Sequence, residues 1–99
     1  MQNNLNDIFG KTPKLYNIAT DLEIPKDAVN IMRPNEFGNP FILGRDGNRD
    51  ECLEKYEQWV MAQPNLIKHI KKVLKGKDLV CCCYPKKCHG NILLQIAGE

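Results

Sequence analysis

The chain has 99 residues, 42% of them apolar and 26% charged, with 14 Lys and Arg against 12 Asp and Glu for a net charge of +2. These figures fit one globular domain, leave little room for a second, and support one modest core rather than a large enclosed active-site cavity. No apolar run approaches the roughly 20 residues that span a bilayer, and Met1 to Gly10 lacks the basic and apolar regions of a signal peptide, so a soluble cytoplasmic protein with no membrane partner is expected.

Met1 to Lys11 is polar, rich in Asn and without a sustained period. Residues 1–11 are therefore read as a flexible N-terminal arm and residues 12–99 as a single α/β domain. Leu15 to Ala19 reads as a short strand, and Pro25 marks the turn region that follows. Ala28 to Met32 alternates as a second strand and delivers Arg33-Pro34 to its C-terminal end. From Pro34 to Asn48 the chain holds two prolines and three glycines among polar residues, a long structured loop of the kind that is often functional.

The first strong helix starts near Asn48, a capping residue with Glu51 three positions on as its reciprocal partner. Cys52, Leu53, Tyr56, Trp59 and Val60 recur along one face of a 3.6-residue period, which makes Cys52 a buried structural thiol. A second helix opens at Pro64 and stops at Gly76, with Leu66, Ile67, Ile70, Val73 and Leu74 inward and Lys68, Lys71, Lys72 and Lys75 outward. His69 lies beside that basic face and reads as a boundary histidine. Leu79 to Cys83 is a continuous apolar run of the kind buried on both faces, hence the central strand, and a last helix runs from about Cys88 or His89 to Ala97. Strands, two helices, a strand and a helix in this order predict a small, mostly parallel sheet covered by helices.

Five cysteines, at 52, 81, 82, 83 and 88, are an odd number without an export signal, which argues against a disulfide framework. Residues 64–99 carry seven lysines and two acids, whereas residues 1–63 carry seven Lys or Arg and ten acids. The positive charge is thus concentrated in the C-terminal third.

The segment Cys81 to Asn91 joins the buried strand to a helix start, where open α/β sheets place their ligands. Free N–H groups of the first turn attract anions, Lys86 and Lys87 add positive potential, and thiols in such a field are expected to ionise more readily. By strand alternation Cys81 and Cys83 share one face and Cys82 points into the core.

Several separated motifs carry a family resemblance. They are Arg33-Pro34-x-x-Phe37-Gly38-Asn39-Pro40-Phe41, Gly44-Arg45-Asp46-Gly47-x-Arg49, Tyr56-x-x-Trp59, and Gly76-Lys77-Asp78-Leu79-Val80-Cys81-x-Cys83-x-Pro85-x-x-Cys88-His89-Gly90. Over residues 28 to 97 the chain resembles the bacterial and phage family known as domain of unknown function 4326. More weakly, its Cys-His segment is similar to domain of unknown function 488, in which a strand delivers a Cys and an acid before a Cys-His-Arg helix start. The first resemblance implies a site at the Cys-His segment, with Asn91 standing where members usually carry Asp, and a host-cytoplasm location for a phage-encoded member.

Three readings of that site follow. In the first, a phosphate-bearing small molecule or nucleotide binds between the two loops. Arg33, Arg45 and Arg49 clamp oxyanions, Asn39 reads an amide or base edge, and Gly38, Lys86, Lys87, Gly90 and Asn91 complete the binding set. Cys83 or Cys88 is then a nucleophile and His89 a proton carrier, as in a Cys/His-dependent transferase or hydrolase without a cofactor. The second reading is structural zinc on Cys81, Cys83, Cys88 and His89, opposed by a spacing unlike a zinc knuckle and by the roughly 100° that separates neighbours on a helix. The third is a non-catalytic interaction module that turns its basic C-terminal face to nucleic acid or an acidic protein.

Overall fold

The computed structural model describes residues 13–83 and 86–99. The N-terminal arm expected at residues 1–11, and Tyr84 and Pro85 of the cysteine segment, lie outside the described residues. In chain order the elements are β1 (Leu15–Asn17), β2 (Val29–Asn30), α1 (Arg49–Met61), α2 (Pro64–Leu74), β3 (Leu79–Cys81) and α3 (His89–Gly98).

The sheet has the order β1-β3-β2, and both outer strands run parallel to β3. Leu15 and Val29 both stand opposite Leu79, so one register aligns all three strand starts. Asp78 ties those starts together: its carboxylate accepts from the Lys14 amide at 2.9 Å and its carbonyl from the Val29 amide at 2.8 Å. A parallel central strand must be apolar on both faces, and Leu79, Val80 and Cys81 are all buried. The expected α/β architecture, a small parallel sheet with helices packed on it in a single domain, is therefore present.

All three strands are shorter than expected. β1 ends at Asn17, whose side-chain oxygen accepts from the Ala19 amide and whose own amide donates to Asp21, a local turn that replaces further ladder. β2 ends where Asn30 Oδ1 takes the Met32 amide. β3 stops at Cys81, beyond which the chain bends and leaves Cys82 exposed. The placement of Cys82 in the core by strand alternation is thereby corrected, because alternation holds only while the backbone stays extended.

The α1 start follows the sequence closely. Asn48 accepts from the Glu51 amide and Glu51 returns a bond to the Asn48 amide, both at 2.8 Å, closing the reciprocal cap. Cys52, Tyr56 and Val60 form its buried stripe, and Trp59 sits at the edge, half-exposed, with its ring against Tyr56 and Phe41. α2 opens with Pro64 at its first turn and buries Ile70 and Leu74, while α3 buries Leu93, Ile96 and Ala97. Ile31, Tyr56, Val60, Ile70, Leu74, Leu79 and Leu93 make one continuous core between the sheet and these helices. His69 is the boundary residue expected: it pairs with Glu36 at 2.9 Å and stacks on Phe37. No helix among the described residues is long and apolar enough to cross a membrane.

Candidate functional site

At the C-terminal edge of the sheet lies a cavity of about 200 Å³. Three segments wall it: the chain leaving β2 with Met32 and Arg33, the 39–49 loop running into α1, and the turn from β3 to the start of α3. Of the residues expected to act together, Arg33, Asn39, Arg49, Cys83, Lys87, Cys88 and His89 line this one cavity. Its apolar floor comes from residues not expected at the site, Phe41, Ile42, Leu43 and Leu53 among them. Apolar residues in a mostly polar loop were the available signal for the first three.

The remaining candidates are elsewhere. Arg45 points away and pairs with Asp46 at 2.8 Å, an exposed contact in which the shared hydrogen bond raises the guanidinium pKa and lowers that of the carboxyl. Asn91 bonds the Cys88 amide at 3.3 Å and faces a separate shallow cleft with Glu54 and Glu57. Lys86 is exposed and outside the cavity. The two glycines serve packing: a Cβ at Gly38 would stand 2.9 Å from the Arg33 amide nitrogen, and one at Gly90 would collide with Leu15. Gly38 thus lets the loop close on Arg33, and Gly90 lets the start of α3 settle against the strands.

The cavity is electrostatically one-sided. Arg33, Arg49 and Lys87 line it, and among the described residues no acidic side chain does. Each arginine spends one N–H on a backbone carbonyl, Arg33 on Asn39 at 2.8 Å and Arg49 on Lys87 at 3.1 Å. Neither has a carboxylate partner among the described residues. Since a guanidinium carries five N–H donors, most of theirs stay open. Lys87 also reaches Asp50, at 3.1 Å on the exposed rim.

Beneath these cations Cys88 and His89 touch. The Cys88 Sγ lies 3.6 Å from His89 Nδ1, and the Gly90 amide donates to the same sulfur at 3.4 Å. The roughly 100° divergence of helical neighbours does not apply, because Cys88 is the N-cap of α3 and has an extended backbone at φ −142° and ψ 149°. On the far side of the ring Nε2 is 2.8 Å from the Ile31 carbonyl. A carbonyl only accepts, so Nε2 carries the proton and Nδ1 presents its lone pair to the thiol. The Tyr56 ring meets the imidazole edge to face, with centroids 5.1 Å apart.

Burial sets the charge of this pair. It pushes the Cys88 thiol pKa well above its ordinary value, against the opposing Gly90 amide, with the neighbouring Cys81 thiol adding to the rise. Burial likewise lowers the His89 pKa, opposed by the Ile31 carbonyl and reinforced by the Arg33 charge. The resting pair is a neutral thiol beside a neutral imidazole. The expectation that Cys88 is poised as a thiolate is corrected: the helix N-terminus is outweighed by the loss of water. Cys82, although exposed, also has its thiol pKa raised, by partial desolvation first and then by the neighbouring Cys83. Among the described residues no group of three or more His, Cys, Asp or Glu side chains is disposed to hold a metal ion.

Residues 17–99, which include every residue of the cavity, match the family described as Domain of unknown function (DUF4326). The chain belongs to this family. It is similar to an uncharacterised 12.4 kDa protein in the nrdA-td intergenic region of Enterobacteria phage T4, 32% identical over an alignment of 81 positions that covers 72% of this chain and 68% of the phage protein. No solved structure matches the chain. The DUF4326 match begins at the end of β1 and runs through α3, so the cationic cavity and the Cys88–His89 pair both fall inside the family segment.

Proposed function

We propose that this DUF4326 protein binds a compact phosphate-bearing small molecule, no larger than a nucleoside monophosphate, in the cavity between the Arg33–Arg49 segment and the Cys88–His89 turn. The observation that carries this reading is the lining: among the described residues, three cationic side chains, no acidic one, and two guanidinium groups with open donors above an apolar floor. Forked guanidinium groups hold phosphate oxygens by paired hydrogen bonds, while the apolar floor takes a base or another flat group. At about 200 Å³ the space is below the roughly 300–1,000 Å³ of sites for drug-sized ligands, which argues for a small occupant.

The thiol–imidazole pair supplies a route to transfer or hydrolysis on that ligand. The Cys88 S–H proton passes to His89 Nδ1 while the electron pair stays on sulfur, which bonds the electrophilic atom as the leaving group departs. The leaving group takes the proton back from Nδ1, and an acceptor or water then releases the thiol. Because the resting pair is neutral, sulfur ionises only as it reacts. Thermal denaturation against inorganic phosphate and nucleoside monophosphates tests the binding. A ligand at 100 times its Kd should stabilise the fold by about 2.7 kcal/mol and raise Tm by roughly 10 °C or more. The double variant Arg33→Met/Arg49→Met should lose the shift. No shift with any of these ligands, or an undiminished one in the double variant, would overturn the reading.

A further inference from the structure

A second surface lies outside the cavity. Between Glu57 and Asp78 twenty residues pass with five lysines and no acid. The run contains all of α2, whose apolar side, Ile70 and Leu74 foremost, is turned to the core. On the opposite side Lys68 and Lys72 are exposed, as is Lys75 at the C-cap, and Lys71 is half-exposed. Not one of the four joins an ion pair among the described residues, and Glu36, the acid that reaches α2, is held by His69. α1 has the ordinary mixed surface, with Asp50, Glu51, Glu54 and Glu57 against Arg49 and Lys55. Solvated helix faces commonly interleave both signs, as α1 does. The α2 face has one sign.

We infer that the exposed face of α2 binds the phosphate backbone of duplex DNA without reading its sequence. At 1.5 Å of rise per residue, the stretch from Lys68 to Lys75 is about 10 Å long. Projected on the duplex axis, each DNA strand carries a charge about every 3.4 Å, so Lys68, Lys72 and Lys75 can meet about three phosphates. All the cations are lysines, flexible point charges suited to phosphate rather than forked readers of base edges. α2 presents no Trp, Tyr or Phe on which unpaired bases would stack, which favours the duplex over a single strand. The surface shares no residue with the cavity.

The test is fluorescence anisotropy of a 20-base-pair duplex against the full chain at 50 to 200 mM salt. Three phosphate contacts predict a log–log slope of about −2.7, a loss of roughly 40-fold in affinity across that range. Lys72→Gln should reduce the slope by about one unit. The triple variant Lys68→Gln/Lys72→Gln/Lys75→Gln should abolish binding while its circular dichroism spectrum and Tm stay unchanged. Lys55→Gln, on α1 rather than α2, should leave the slope as it is. The inference is overturned if the wild type fails to bind at 50 mM salt or if the triple variant binds equally well. Equal or tighter binding to a single strand of the same length, or to poly-glutamate, would overturn it too.

Discussion

Replacing Gly90 by alanine inserts one methyl group where the first turn of α3 meets the sheet, and the surroundings fix what it must cost. The added Cβ would lie 2.9 Å from Ile31 Cδ1 and collide with Leu15 Cδ2. Ile31 is fully buried and Leu15 nearly so, and both belong to the core cluster, so neither can swing aside without disturbing the packing. Overpacking of this kind costs about 1–3 kcal/mol, and contact with two confined side chains puts Gly90→Ala at the upper end. Alanine regains at most about 1 kcal/mol as the better helix former. The net loss is therefore about 2 kcal/mol, or a fall in Tm of roughly 8–16 °C for a domain of this size. Gly98→Ala is the internal control, since a Cβ there meets nothing within 4 Å, and it should leave stability unchanged or slightly improved. Urea unfolding followed by circular dichroism measures both variants. Equal stabilities for Gly90→Ala and wild type would refute the close seating of α3 on which the Cys88–His89 geometry depends.

The other predictions concern the groups around that turn. Tyr56→Phe removes the buried hydroxyl that donates to the Phe37 carbonyl at 3.0 Å. It should cost about 1–3 kcal/mol in urea unfolding, the usual result of leaving a buried acceptor unpaired; no change would mean that the bond does not form. His89 has a folded-state pKa below its unfolded value, so the unfolded chain takes up a proton first as pH falls. Its contribution to stability is complete above about pH 6.5 and is lost as pH drops from there toward the folded-state pKa. His89→Gln should flatten this part of the stability curve, and an unaltered curve would show that His89 does not titrate as described. Iodoacetamide labelling mapped by mass spectrometry at neutral pH should modify the exposed Cys82 first and the buried Cys52, Cys81 and Cys88 last. Early labelling of Cys88 would contradict the neutral resting thiol.

What could be read from the sequence followed the strength of the local signal. The Asn48–Glu51 cap, the Cys52-Tyr56-Val60 stripe and the proline opening α2 are short-range patterns, and each is present in the fold. The apolar run at Leu79 likewise identified the central strand, but not its end, because the bend after Cys81 leaves no mark in composition. Arg33 and Arg49 were legible as cavity residues, whereas Arg45, of the same type and in the same loop, turned to its neighbour Asp46. The Cys88–His89 contact was hidden by treating both residues as helical, when the cap conformation of Cys88 brings sulfur and ring together. Sequence charge also overstated the effect of the helix terminus on that thiol, since burial is a tertiary quantity. The backbone carbonyl of Ile31, which fixes the imidazole proton, has no sequence signature at all.

If the proposed function is right, the arginine segment and the cysteine turn wall one anion-binding cavity. Titration of ¹⁵N-labelled protein with a nucleoside monophosphate, followed by NMR at neutral pH, tests it most directly. The Arg33 and Arg49 side-chain signals and the His89 and Gly90 amides should move together along a single binding curve, with the Arg45 side chain unmoved. Shifts confined to the α2 lysines, or none at all, would contradict it.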